Sequence, residues 1–481
     1  MKKMLFAAAM LLCHTYAVYA KNGYHISLRM PGVTDSVVYL AHYYGKGRPT
    51  IFKTDSARID KRGNAELRST SEDFTGGIYI VYLSDLLTNF EVLLNKGDDI
   101  TIVAPKNAIP NDIEFKGSPE NTRFAAYVRY LNTYSAGDEV IRKEFEMAKT
   151  AGDTAEVRAK AKVAADKLKR YREDYAAQYP GTLLAKIFKA MELPVIQDGD
   201  HYLADGKTKD STFAYRQYKA HYWDGFDLTD DRLIYTPLYD SRLEEYFNKL
   251  VVPYPDSLKH EADMLLARTK GTKDMFHYTL WWLTRYAENS KVMGLDEVFV
   301  HLVENYYMKG DAFWLKPDEL KKYTERARKI APNVLGNMAP PISLPDVRTG
   351  KTQKLYDIQA KYTMVVFYSP TCGHCRHEVP LLDSVYEAVL KHKGIQVYSV
   401  ATEEPDSTIN KFLKEQKLDK KWMNTWDPQR TGDWHDKYDV YVTPSIYLLD
   451  EKKIIRGKRL DHTNVAGLVE MLEKKQKSGS D

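Results

Sequence analysis

The chain has 481 residues, 28% of them charged, and 70 Lys and Arg against 66 Asp and Glu leave a net charge of +4. That near balance gives no electrostatic reason to bind nucleic acid or an anionic membrane, and three cysteines are too few to staple a chain of this size with disulfides. At about 150 residues per domain, the length suggests about three domains.

Residues 1–20 read as a secretory signal peptide. Lys2 and Lys3 form a positive start, Met4 to Leu12 an apolar stretch, and Val18-Tyr19-Ala20 ends in a small residue suited to cleavage. That stretch is too short to span a bilayer, and no later one reaches the ~18 apolar residues of a transmembrane helix. Lipid attachment at Cys13 is a rival reading, but Leu12 stands where a small residue is expected. The expected location is therefore the periplasm or cell envelope, with no transmembrane span.

Residues 21–110 read as a small antiparallel β-sandwich. Tyr24–Leu28, Ser36–Leu40 and Gly77–Leu83 are β-branched and aromatic runs separated by turn residues. Phe90 to Leu94 and Asp99 to Val103 flank Asn95-Lys96-Gly97-Asp98, which has the composition of a hairpin turn. From 111 to 331 the period becomes helical. Residues 138–179, rich in Ala, Lys, Glu and Arg, suggest one long solvated helix or a helical hairpin. Four prolines in residues 331–345 mark an interdomain linker or an extended entry strand, and 332–481 then alternates strands and helices as an α/β domain.

The chemistry concentrates at Cys372-Gly373-His374-Cys375, directly after the apolar run ending in Phe367-Tyr368. With Cys13 in the leader, these are the two thiols of the mature chain, and a C-x-x-C at a strand-to-helix junction suits a dithiol–disulfide cycle. Cysteines at i and i+3 of a helix start lie close enough to bond. The unpaired N–H groups and dipole of the helix stabilise a thiolate on the first. Cys372 is thus expected to attack a partner disulfide and Cys375 to resolve the mixed disulfide. A structural disulfide or a metal site built from Cys372, His374, Cys375 and His377 is the alternative, but ligands so close along one helix start face different ways. A peroxiredoxin reading fails at Val365, where a proline is required, and His260-Glu261 lacks the second histidine of H-E-x-x-H because residue 264 is Met.

In order along the chain, Gly336-Asn337-Met338-Ala339-Pro340, the Cys372–Cys375 motif, Glu378 with Pro380, Val442-Thr443-Pro444-Ser445 and Tyr447-Leu448-Leu449-Asp450 resemble the thioredoxin fold of the TlpA/ResA type. The likeness covers under a third of the chain. It implies a thiol–disulfide oxidoreductase acting on protein thiols and disulfides. A membrane electron-transfer thiol protein would be a further partner, and no cofactor is needed beyond the Cys372–Cys375 disulfide. It also implies a role for Glu378 in moving the thiol proton, and substrate docking on Thr443 and a cis Pro444. Protein disulfide isomerase resembles this chain in having Cys-Gly-His-Cys, so Gly373 and His374 are expected to set the redox poise. The competing class is an envelope binding or scaffold protein that recognises partners without turnover. The likeness assigns no chemistry to the first two domains.

Overall fold

The computed structural model describes residues 22–478 except 197–198, 403–405, 419 and 429–431. The signal-peptide reading and Cys13 therefore lie outside the described residues. The described chain divides into two compact units, residues 22–251 with Leu265–Thr279, and Val252–Met264 with residues 280–478.

In the first unit, eight strands form two four-stranded sheets. Strands β1 (Tyr24–Arg29), β4 (Asn64–Ser69), β7 (Asp98–Val103) and β8 (Glu114–Lys116) run in the order β4-β1-β7-β8. Strands β2 (Val37–His42), β3 (Phe52–Arg58), β5 (Gly77–Leu83) and β6 (Asn89–Leu94) run β3-β2-β5-β6. Alternate residues of both sheets, among them Ile26, Leu40, Val81, Val92 and Ile102, share one core, as a sandwich requires. Two details differ from the expectation. β1 and β7 pair in parallel, so the first sheet is mixed. The turn at Asn95–Asp98 does not close a hairpin: β6 pairs with β5, while β7 crosses to the other sheet beside β1 and β8. Gly97, at φ +88°, makes the turn and donates its N–H to Gly23 O at 2.7 Å, which ties the crossing chain to β1.

Two long helices follow, α1 (Pro119–Met147) and α2 (Ala151–Gln178). They form the hairpin rather than the single long helix, because the chain turns at Ala148 and Thr150 caps α2 by accepting from the Asp153 N–H. Tyr127 and Tyr130 of α1 stack on Tyr171 of α2, so the pair is antiparallel. Helices α3 (Leu183–Met191), α4 (Phe213–His221) and α5 (Tyr239–Glu245) follow. Tyr222 and Trp223 are buried against the rings of Tyr239 and Tyr246, so these aromatics pack a core. Helices α6 (Pro255–Thr269) and α7 (Asp274–Glu288) have residues in both units.

The second unit also contains α8 (Asp296–Leu302) and α9 (Pro317–Ile330), then a short hairpin of β9 (Ser343–Pro345) and β10 (Thr352–Lys354). Its sheet is built from β11 (Tyr362–Tyr368), β12 (Ile395–Ala401), β13 (Met423–Trp426), β14 (Ser445–Asp450) and β15 (Ile455–Lys458), in the order β13-β12-β11-β14-β15. β12 runs parallel to β11 and β14 antiparallel. Helices α10 (Gly373–Val385), α11 (Asp406–Glu415), α12 (Trp434–Lys437) and α13 (Val465–Ser478) complete it. Every residue of β11 is buried. Met364, Val366 and Tyr368 face the side packed by α10, α11 and α13, and Val365 and Phe367 face Trp434, Tyr438 and Tyr447. A strand buried on both faces explains why its sequence is one apolar run without alternation. This is a thioredoxin-like α/β domain. Among the described residues no helix is long and apolar enough to cross a membrane.

Candidate functional site

The central strand β11 delivers the chain to the site. After Tyr368 it turns through Ser369-Pro370-Thr371, the Cys372 N–H donates to Ser369 O, and Cys372 becomes the N-cap of α10 with extended backbone angles. Its carbonyl accepts the first helical bond, from the Arg376 N–H at 3.0 Å. The first N–H groups of α10 have no carbonyl partner within the helix, and those of His374 and Cys375 are presented to the Cys372 sulfur.

Both cysteines are free thiols, but their surroundings differ. Cys372 is partly exposed. The Cys375 N–H is the main cause holding its thiol below the ordinary value, with the Cys375 thiol, Thr443 and the His374 N–H acting the same way against partial desolvation. Cys375 is fully buried among Tyr368, Val379 and Leu382, and desolvation pushes its thiol up to about 11. The Ser369 N–H donates to the Cys375 sulfur at 3.4 Å. One thiol is thus poised to ionise within reach of solvent, while the other keeps its proton.

The loop before β14 closes the other side. The Cys372 thiol donates to the Thr443 carbonyl at 3.5 Å, and the Thr443–Pro444 peptide bond is cis. Tyr441 and Val442, just before it, are exposed. Trp434 and Tyr438 are buried in the core, and Trp426 packs partly against the other face.

The remaining expected residues fall in different places. Gly373 and His374 are exposed on the first turn of α10, and a side chain at 373 would meet open space. Glu378 is mostly buried one turn below Cys375, but it does not stand alone. Its carboxylate accepts from the backbone N–H of His462 at 2.7 Å and pairs with the His462 ring at 2.8 Å. The sequence gives no sign of His462, which lies 84 positions away. Among the described residues, no group of three His, Cys, Asp or Glu side chains converges as a metal site requires.

Residues 335–458 match the model of the AhpC/TSA family, and residues 210–333 match a domain of unknown function, DUF5106. A thioredoxin-like protein of Haemophilus influenzae is 32% identical over 115 residues, 24% of this chain and 63% of that protein. The thiol-disulfide oxidoreductase ResA of Bacillus thuringiensis is 27% identical over 130 residues, 27% of this chain and 72% of its own. This chain thus spans somewhat under two thirds to about three quarters of those relatives. Among solved structures, a domain of a possible thiol-disulfide isomerase from Cytophaga hutchinsonii is 38% identical, covering 31% of this chain and 99% of its own at a TM-score of 0.29. The cysteine pair and the Thr443 loop lie within residues 335–458, so they sit in a domain that matches the AhpC/TSA (redoxin) family and is similar to the ResA-type thiol-disulfide oxidoreductases.

Proposed function

We propose that this protein is an exported thiol–disulfide oxidoreductase that exchanges disulfides with protein substrates through Cys372 and Cys375. The observation that carries this reading is the division of labour between two free thiols at one helix start. One is accessible with a lowered pKa and the other is buried with a raised one.

In the reductive direction, the Cys372 thiolate attacks one sulfur of a substrate disulfide. An S–S bond forms between them and the other substrate sulfur leaves as a thiolate. Cys375 then loses its proton and attacks the Cys372 sulfur, which expels the second substrate thiolate. The substrate gains two electrons, and the enzyme is left with the Cys372–Cys375 disulfide, which an external dithiol must reduce for the next cycle. No other cofactor enters. The Thr443 backbone, facing Cys372, would pair with an extended substrate segment in the manner of an added strand. Glu378 would receive the proton from Cys375. The leader and the envelope partners expected from the sequence complete the proposal: a protein of the periplasm or cell envelope, fed by a membrane thiol protein.

The test is reduction of insulin disulfides by the signal-free protein with dithiothreitol as donor. Turnover that is lost in Cys372→Ser, together with a covalent insulin adduct that accumulates in Cys375→Ser, is the expected result. Equal rates in wild type and Cys372→Ser would overturn the proposal and leave the binding-protein reading.

A further inference from the structure

The loop that carries Thr443 is held from outside the redoxin segment. Helix α9 lies within the stretch that matches the domain of unknown function, and three of its contacts reach residues 436–441. The Arg326 guanidinium donates to the Asp439 carboxylate, whose side chain is only 11% exposed. The Lys329 ammonium donates to the Tyr441 hydroxyl, lies 4.8 Å above that ring and is 3.4 Å from Asp436. Tyr441 in turn donates to Asp436 at 2.9 Å. Just beyond the helix, the Asn333 amide donates both to Lys329 O and to Lys437 O.

These contacts fall where the loop has least support of its own. Tyr438 and Val440 are anchored in the core, and β14 begins at Ser445, but Tyr441 and Val442 between them are 52% and 75% exposed. Asp439 has φ +53°, a left-handed conformation uncommon outside glycine, though less so for Asp, and steadier where its surroundings enforce it. A charge-assisted bond to a nearly buried carboxylate is such an enforcement. Tyr441 is two residues from Thr443, so fixing its hydroxyl leaves the Thr443 carbonyl little room to wander.

We propose that α9 is a brace for the substrate-docking loop, with Arg326 and Lys329 as positioning residues that hold Thr443 opposite Cys372. The inference rests on the reading of Cys372 and Thr443 given above. It gives part of the helical segment a role in the chemistry. The helix keeps the docking edge preorganised, so that binding a substrate strand does not first have to order it.

The experiment compares two reactions of the full signal-free protein. Insulin reduction requires the docking edge, whereas exchange of the Cys372–Cys375 disulfide with dithiothreitol does not. Arg326→Ala should raise KM for insulin by about fivefold or more, the effect of losing one charge-assisted hydrogen bond. Its kcat and dithiothreitol exchange rate should stay within about twofold, and Arg326→Lys should recover part of the KM. Tyr441→Phe removes only an exposed hydroxyl, cannot unfold the domain, and should raise KM by about twofold. Unchanged KM in both Arg326→Ala and Tyr441→Phe would overturn the brace, as would parallel losses in both reactions in both variants. Insulin reduction that is equally slow in wild type and Cys372→Ser would instead overturn the reading of the thiol site itself, and the brace with it.

Discussion

The Cys372 sulfur and the Thr443 carbonyl, 71 positions apart in sequence, meet at 3.5 Å. This contact places the more acidic thiol beside the backbone of the Thr443 loop. It also separates the two cysteines by function. Cys372 looks towards the loop and solvent, while Cys375, one helical turn on, looks into the core behind β11. The chemistry proposed for the pair follows from that separation.

The two thiols should therefore titrate apart. In the reduced protein, iodoacetamide should modify Cys372 with a midpoint below the ~8.5 of a free thiol, while Cys375 stays unreactive until the pH approaches about 11. The same asymmetry sets a stability window. The folded state keeps Cys375 protonated where the unfolded chain releases the proton. Its contribution is complete below the unfolded value of ~8.5 and is lost as pH rises towards about 11. Cys372 works in the opposite sense, its contribution being lost as pH falls through its lowered folded value. Unfolding midpoints of reduced wild type and Cys375→Ala, compared from pH 7 to 10.5, check the first effect. A difference that does not change across that range would contradict it.

His374 is exposed on the first turn of α10, where a positive ring favours the Cys372 thiolate and with it the dithiol form. The disulfide should then be more oxidising than that of thioredoxin, between about −270 and about −180 mV. Substitution His374→Pro should move it towards the reducing end of that range. Equilibration with glutathione buffers measures both, and a wild-type potential below about −270 mV would contradict the assignment.

The Glu378–His462 pair makes a separate prediction about the second step. If Glu378 receives the proton of Cys375, then Glu378→Gln should slow breakdown of the mixed disulfide by at least about a hundredfold between pH 6 and 8, the usual minimum worth of a positioned acid or base. His462 donates to the carboxylate from both its backbone and its ring, so His462→Ala should cause a smaller slowing and leave the first attack unaffected. Decay of a thionitrobenzoate adduct on Cys372 gives the rate directly. A rate unchanged in Glu378→Gln would leave the glutamate as a structural residue bound to His462.

How much of this was legible in the sequence depends on how local each signal is. The strand–turn–helix around Cys372 spells itself out within fifteen residues, because a strand buried on both faces must be apolar throughout and a helix start supplies its own N–H groups. The Thr443 loop was legible only through likeness to a family, since nothing in Val442–Ser445 alone says which carbonyl it faces. The Asn95–Asp98 turn has hairpin chemistry, yet its strands join different sheets; the partner of β7 is decided by β1, more than seventy positions earlier. Short elements such as β13, with Asn424 and Thr425 both buried, carry no period to read. Glu378–His462 and Arg326–Asp439 are pairs of ordinary charged residues until the fold brings them together.

A last prediction concerns the residues that join α8 and the end of α9 to the redoxin sheet within the second unit. The Lys458 ammonium on β15 donates to Asp296 at 2.5 Å and also to Asn333, and both charged side chains are almost wholly buried. Desolvation lowers the Lys458 pKa, and Asp296 Oδ1 has no hydrogen-bond partner among the described residues. Such a pair is a poor source of net stability but a dangerous one to break, because the survivor is a buried unpaired charge. Lys458→Met should destabilise this unit by about 3–5 kcal/mol, whereas Lys458→Met with Asp296→Leu should recover most of that loss. Six of the seven tryptophans lie in this unit, so urea unfolding followed by their fluorescence reports on it selectively. If the double variant is no more stable than the single one, the charges at this joint hold something more specific than a close-packed contact, and apolar packing cannot replace them.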